Sequence, residues 1–195
     1  MMRLLSVFLF LACSLAFGNV PMRDCTLKAP VADTGLSAAQ VAPYQQGSQA
    51  VLKVKGFLFP PGTNKTIDAD PTEENNTALR TAINYHRSLK TQGLDEIVQY
   101  WHPALQKTKQ AQLSQPGVMD DTKALFANLS SVELLGMLEI QGREVVFIRY
   151  SGKTHAYVTV ESNGVYYLVS DPGLTPQTKI ATAAFDTGAA TMASR

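Results

Sequence analysis

Histidine is the residue type in this chain with the most catalytic potential, because the pKa of an imidazole lies near neutral pH. The sequence holds three histidines. His86 falls on the apolar face of a helix predicted over residues 72–91. A histidine that lines a pocket can act as a general base, whereas a histidine at a helix boundary more often makes one hydrogen bond and has no further role. The sequence leaves both interpretations of His86 open.

A second group of polar side chains is predicted on the sheet in the carboxyl-terminal half. Arg149, His155 and Tyr157 fall on one face of neighbouring strands in the register described below. An arginine offers two parallel donors, so this group could bind an anion or a carboxylate-bearing ligand, with His155 as a second candidate base. The alternative is an ordinary cross-strand pair at the surface. Tyr100 and Trp101 end a short helix and would line the same ligand site, although Trp101 also suits a core anchor.

The sequence contains no motif that names a reaction. Its histidines are too far apart for a metal-ligand pattern, and it has no glycine-rich phosphate loop and no nucleophile elbow. No metal and no cofactor is therefore expected. The net charge of +1 and the lack of a basic run argue against nucleic acid as the partner. Asn64, Asn75 and Asn128 begin glycosylation sequons, which matter only if the source glycosylates exported proteins.

Residues 132–171 predict the antiparallel sheet that would position these side chains. Four runs rich in Val, Ile, Tyr and Phe are separated by turn signals at Gln141-Gly142, at residues 151–153 and at Asn163-Gly164. The Asn-Gly pair is the strongest signal, because a type I′ turn needs a positive φ at both central residues.

The register of the middle hairpin decides which side chains share a face. If residues 151–153 form a three-residue loop, Ile148 faces Ala156 and Val146 faces Val158, which keeps apolar residues together. The other face would then carry Val145, Phe147, Arg149, His155, Tyr157, Tyr166 and Leu168. Both faces therefore call for burial. We expect the upstream helices to cover one face and a second subunit or an N-terminal segment to cover the other.

Four helices are predicted before the sheet. The longest runs over residues 72–91 with Thr72 as its N-cap, and a short one follows over residues 94–101. A third, exposed helix is predicted over residues 104–115, and Asp120 would cap the fourth. Helices followed by an antiparallel meander indicate an α+β fold in which the helices lie on one side of the sheet.

This order of elements carries a resemblance to a known family. The run from Leu79 to Pro103, LRTAINYHRSLKTQGLDEIVQYWHP, followed by a helix and four strands, resembles the nuclear transport factor 2-like superfamily, a cystatin-like α+β roll. The resemblance covers residues 72–171 and implies a sheet curled around the long helix, a conical pocket and dimerisation through the sheet. The superfamily includes isomerases, cyclases, dehydratases and non-enzymes, so it implies no particular reaction. The acid and base roles of its ketosteroid-isomerase branch cannot all be placed on this sequence.

The first eighteen residues, MMRLLSVFLFLACSLAFG, predict a secretory signal peptide. Arg3 precedes an apolar run, and Ala16 and Gly18 are small residues at the −3 and −1 positions of a cleavage site. The run is shorter than the roughly 20 residues that span a bilayer. The sequence at Cys13 loosely resembles a lipobox, and a lipidated Cys13 would attach the chain to a membrane; the alternative is a small apolar residue of the leader. Cleavage after Gly18 would leave Cys25 with no internal disulfide partner.

We therefore divide the chain into a signal peptide at residues 1–18, an N-terminal arm with one strand at 19–71, an α+β roll at 72–173 and a flexible tail at 174–195. The fold class expected is α+β, with N-terminal helices packed on a curved antiparallel sheet of about four to five strands.

The leading hypothesis for function is an exported protein, periplasmic or secreted, that acts as a non-catalytic binding or accessory module for a small molecule or a protein. The alternative is a small pocket enzyme of the isomerase, cyclase or dehydratase type with His86 or His155 as base. That alternative requires a deep cavity lined by one of these histidines, with a second polar group within about 3 Å of a shared point. A third hypothesis is a structural subunit or inhibitor that acts through its exposed face.

Overall fold

The computed structural model describes residues 21–72, 74–169 and 175–192. The predicted signal peptide, with Cys13, lies outside the described residues. Within the described ranges the chain forms six α-helices and one antiparallel sheet of nine strands, which confirms the α+β class. In these ranges no helix combines the length and the apolar character needed to cross a membrane.

The sheet runs in the order β8-β7-β6-β5-β3-β1-β9, with β2 paired to β3 and β4 paired to β5. The strands are β1 (Arg23–Pro30), β2 (Gln45–Gln46), β3 (Gln49–Leu58), β4 (Asn64–Thr66), β5 (Ser131–Ile140), β6 (Arg143–Tyr150), β7 (Lys153–Ser162), β8 (Val165–Leu168) and β9 (Ala190–Met192). The helices are α1 (Ala38–Val41), α2 (Ala78–Thr91), α3 (Leu94–Val98), α4 (Pro103–Leu113), α5 (Val118–Ala127) and α6 (Pro176–Thr187).

One face of the sheet is covered by the upstream helices, as the sequence predicted. Leu134, Val146 and Ile148 are almost fully buried on this face and share a core cluster with Leu79 of α2 and Ile97 of α3. Helix α4 has no buried residue, and its partly buried Leu113 packs against the edge of this core. The helices therefore hold the sheet mainly through α2, α3 and α5.

Two predicted helix starts are wrong, and each has a local cause. The N-cap of α2 is Thr77, whose side chain accepts a hydrogen bond from the backbone N–H of Arg80 at 3.2 Å. Thr72 instead bonds the side chain of Asn84, so it belongs to the preceding segment. Helix α5 begins after Gly117, which adopts a φ of 83°, and Asp120 lies inside its first turn.

The outer hairpin is formed as predicted. Asn163 and Gly164 have φ values of 55° and 80°, and Ser162 pairs with Val165 across the turn. This two-residue connection is the geometry that a type I′ turn requires.

The predicted register of the middle hairpin is wrong by one residue. Ser151 and Gly152 form a two-residue turn with φ values of 49° and 73°, so Tyr150 pairs with Lys153. Ser151 tolerates the left-handed conformation here, although this residue type seldom adopts it. A shift of one residue moves a side chain to the opposite face of the sheet.

The second face of the sheet is covered by the C-terminal helix α6, so the prediction of a flexible tail at residues 174–195 is wrong over residues 175–192. Ile180 and Ala184 of α6 are fully buried, and the Phe185 ring packs 4.8 Å from the Phe147 ring of β6. Beyond α6, β9 pairs with β1. The apolar face that motivated the expectation of a dimer through the sheet is thus occupied within the chain.

The N-terminal arm contributes four strands, β1 to β4, where one was predicted, and this accounts for much of the excess over four to five strands. Strand β1 pairs with β3 from Arg23 opposite Gly56 to Pro30 opposite Gln49. Its buried side chains include Cys25 and Ala29, which are small and carry a weak apolar signal in the sequence.

Strands β3 and β5 meet at Gly56, where a side chain has no room. A Cβ at this position would lie 2.5 Å from Leu138 Cδ2 and 2.7 Å from the carbonyl oxygen of Met137. Because that oxygen is backbone and cannot rotate away, Gly56→Ala should lower the free energy of unfolding in urea by about 2–3 kcal/mol.

Gly93 provides the control, because a Cβ there would meet the flexible carboxylate of Glu96, at 2.8 Å. Gly93→Ala should lose about 1 kcal/mol or less, and equal losses in the two variants would contradict the account.

Candidate functional site

The candidate site is a set of aromatic rings between α2 and strands β6 and β7, which we call the ring cluster. Its members are Tyr85, His86, Tyr100, Trp101, Phe126, Tyr150, His155 and Tyr157. Each ring centroid lies between 4.0 and 6.2 Å from that of another member. Trp101, Tyr150, His155 and Tyr157 are partly exposed, whereas Tyr85, His86, Tyr100 and Phe126 are buried. The cluster is therefore continuous from the protein interior to the surface.

Local structure explains why these rings meet. Tyr85 and His86 lie on the buried side of α2. The register of the middle hairpin pairs Ile148 with His155, which puts His155 and Tyr157 on the face that α2 covers. The segment after α3 is held beside β8 by two backbone hydrogen bonds, from His102 N to the Leu168 carbonyl at 2.9 Å and from Leu168 N to the Tyr100 carbonyl at 2.7 Å.

His86 is fully buried at the centre of the ring cluster. Its Nδ1 lies 2.7 Å from the carbonyl oxygen of Ala82. Since a carbonyl oxygen only accepts, Nδ1 must carry the proton, and Nε2 is left as an acceptor with a free lone pair. Nε2 is buried and has no hydrogen-bond partner among the described residues. Burial lowers the pKa of His86 to about 4, so the imidazole is neutral at pH 7.

The tyrosines of the cluster are neutral phenols. The hydroxyls of Tyr150 and Tyr157 lie 3.1 Å apart and share a hydrogen bond. Burial raises the pKa of Tyr157 well above its usual value and raises the pKa of Tyr85 to about 12. With His86 also neutral, the interior of the cluster is uncharged and suits an uncharged ligand.

The outer part of the cluster carries a stacked pair and a cation. The His155 ring lies parallel to the Tyr150 ring, with centroids 4.0 Å apart and an interplanar angle of 6°. Burial lowers the pKa of His155 as well. The ammonium of Lys109, on α4, lies 4.1 Å from the centroid of the Trp101 ring, a cation–π contact.

Four of the five residues predicted to bind a ligand lie in the ring cluster, and one does not. Tyr100, Trp101, His155 and Tyr157 lie together, while Arg149 pairs with Thr154 on the opposite face of the sheet. In the observed register, Arg149 and His155 lie on opposite faces of the sheet, and Tyr150 lies beside His155.

Sequence reasoning missed three further members of the cluster. Tyr85 shares the buried face of α2 with Leu89 and could have been found from the helical period. Phe126, on α5, was not assigned to a site. Tyr150 was out of reach because its position beside His155 depends on the hairpin register.

Arg149 stabilises the packing of α6 and takes no part in the ring cluster. Its guanidinium donates to Glu133 Oε2 at 3.2 Å and to the carbonyl oxygen of Phe185, in the last turns of α6, at 2.7 Å. Arg149→Met keeps the apolar stem and loses both bonds, so the free energy of unfolding should fall by about 1–3 kcal/mol. Amide hydrogen exchange should also become faster in α6 while α2 keeps its protection. A faster exchange in α2 than in α6 would contradict this role.

Three surface clefts that the described residues line lie away from the ring cluster, and none of the three includes His86 or His155. The cleft of about 370 Å³ is bordered by Arg80, Arg87 and Asn84. Arg80 forms a salt bridge with Glu74 at 2.5 Å. Within the described ranges, no three His, Cys, Asp or Glu side chains come together in a way that could hold a metal ion.

Two buried polar atoms of the ring cluster have no hydrogen-bond partner among the described residues: Nε2 of His86, which can accept, and Nε1 of Trp101, which can donate. No family model, no curated protein and no solved structure matches this chain.

Proposed function

We propose that this protein is an exported, non-catalytic module that binds a small molecule in the ring cluster. The observation that carries the proposal is the buried Nε2 of His86, which has no partner within a group of rings that reaches the surface. Folded proteins pair nearly all of their buried polar atoms, so an unpaired acceptor among partly exposed rings is a group that a ligand would satisfy. The proposal of export rests on the leader pattern in residues 1–18.

Binding fits the ring cluster better than catalysis by His86. A general base works best when its pKa lies near the working pH, and burial holds the pKa of His86 at about 4. His155 is partly exposed, but the arginine predicted beside it lies on the other face of the sheet. The set of groups that the enzyme hypothesis combined is therefore divided between the two faces.

We further propose that the protein is a roll of the nuclear transport factor 2-like type whose interior is the ring cluster. The support is the order of the elements, in which a long helix and shorter helices precede an antiparallel meander, and the packing of α2 against that meander. The conical pocket that the resemblance implies would correspond to the space that the rings of the cluster occupy.

Toluene is a suitable first probe, because it is a single apolar ring without a hydrogen-bonding group. We expect saturable binding to the full mature chain, with isotope-filtered nuclear Overhauser effects from toluene to Tyr157 and Trp101. The rings of Phe147 and Phe185, in the core under α6, are an internal control within the same protein. Contacts to these phenylalanines alone, or no saturable binding, would refute the proposal.

A further inference from the structure

We propose that the ligand of the ring cluster is a planar aromatic molecule with one O–H or N–H donor, and that this donor binds Nε2 of His86. The inference rests on the proposed function and specifies the chemical class of the ligand. Its basis is the polarity of the unpaired atom: because Nδ1 is committed to Ala82, Nε2 can accept a hydrogen bond and cannot donate one.

The protein itself offers no donor to this nitrogen among the described residues. The nearest hydroxyl-bearing rings belong to Tyr150 and Tyr157; one of these hydroxyls donates to the other at 3.1 Å, and neither makes a hydrogen bond to Nε2. The neutral state of His86, with a pKa of about 4, keeps the lone pair free throughout the physiological pH range. A ligand that donates a hydrogen bond would thus pair with Nε2 of His86.

The surroundings of Nε2 suit an aromatic ring. The centroid of the His86 ring lies 4.8 Å from that of Tyr157, 5.4 Å from Tyr150 and 5.6 Å from Phe126, each at a steep interplanar angle between 65° and 75°. Aromatic rings favour such edge-to-face contacts. A planar ligand would reach this place by displacing the stacked rings of Tyr150 and His155, both of which are partly exposed.

Nε2 of His86 makes no hydrogen bond within the described residues of the free protein. A buried acceptor without a partner destabilises the fold, and a leucine or methionine of similar size would fill the space without that penalty. Groups that break a local rule in this way are concentrated at functional sites. Replacing the imidazole by an apolar side chain should therefore remove the recognition of the donor.

Phenol and toluene are a matched pair of probes, because they share ring and size and only phenol carries a donor. We expect phenol to bind the full mature chain at least about tenfold more tightly than toluene, the effect of one additional buried hydrogen bond. In the imidazole ¹⁵N spectrum, phenol should shift the Nε2 resonance of His86 in the direction of hydrogen bonding, and toluene should not. The resonances of His102, at the N-cap of α4, are the internal control.

The outcomes separate this inference from the proposed function. Equal binding of both probes without a shift at Nε2 would overturn the donor preference and leave the ring cluster as a binding site. Binding of neither probe would overturn both. An Nε2 resonance already at its hydrogen-bonded position in the free protein, and unmoved by phenol, would show that a buried water holds the nitrogen and would overturn the inference.

A substitution provides the second measurement. His86→Leu should bring the ratio of the phenol and toluene affinities close to one, because leucine offers no acceptor to the phenol hydroxyl. A variant that keeps the preference for phenol would overturn the inference. If His86→Leu does not fold, the comparison of phenol with toluene on the unchanged protein still decides it.

Discussion

Lowering the pH from 7 to 4 should reduce the free energy of unfolding by about 3 kcal/mol through His86 alone. The pKa of this histidine is about 4 in the folded protein, below its ordinary value of 6.5, because burial disfavours the charged imidazolium. The unfolded chain therefore takes up the proton first. The contribution of a neutral His86 to the free energy of unfolding is fully present above pH 6.5 and is lost progressively as the pH falls toward 4. Burial lowers the pKa of His155 too, which adds a loss of the same sign.

Urea unfolding at a series of pH values, in the unchanged protein and in His86→Leu, measures this contribution. Carboxylates also titrate near pH 4, so the difference between the two proteins is the informative quantity. It should change by about 3 kcal/mol across the range. Parallel profiles for the unchanged protein and His86→Leu would contradict the burial of a neutral His86.

Asn84→Ala should lower the free energy of unfolding by about 2–3 kcal/mol. Asn84 is fully buried on α2. Its Nδ2 donates to the Thr72 carbonyl oxygen at 2.9 Å and to Asn75 Oδ1 at 3.0 Å, and its Oδ1 accepts from the Thr72 N–H at 3.2 Å. These bonds hold the segment before α2 against the helix, so their loss should also increase proteolysis within residues 72–77.

Asn76→Ala is the control for this substitution. Asn76 is exposed, and its side chain donates to the exposed carboxylate of Glu74 at 3.3 Å. A change of no more than about 0.5 kcal/mol is expected. Similar losses for Asn84→Ala and Asn76→Ala in chemical denaturation would show that the buried amide does not anchor the segment.

The parts of the fold that could be predicted from the sequence are those with a strong local signal. The apolar period of α2 and the Asn163-Gly164 turn were sufficient to place a helix and a hairpin. The middle hairpin was misjudged because Ser151 adopts a positive φ, which its residue type does not indicate. Helix α6 was missed because half of its buried side chains are alanines, which resemble a flexible tail in composition.

The candidate site was predictable only where a side chain could be assigned to a face of its element. The inward orientation of His86 followed from the helical period, and Tyr157 was predicted to bind a ligand. The place of Arg149 was wrong because an error of one residue in register exchanges the two faces of a strand. The unpaired Nε2 of His86 could not be predicted, because it depends on which groups from α5, β6 and β7 surround it in three dimensions.

The central claim is that His86 is a neutral, fully buried hydrogen-bond acceptor inside the ring cluster. A site-resolved ¹⁵N and ¹³C titration of the histidine rings tests it most directly. We expect His86 to have its proton on Nδ1, an unprotonated Nε2, and a pKa of about 4. A pKa at or above the ordinary value of 6.5, or a proton on Nε2 at neutral pH, would contradict the claim.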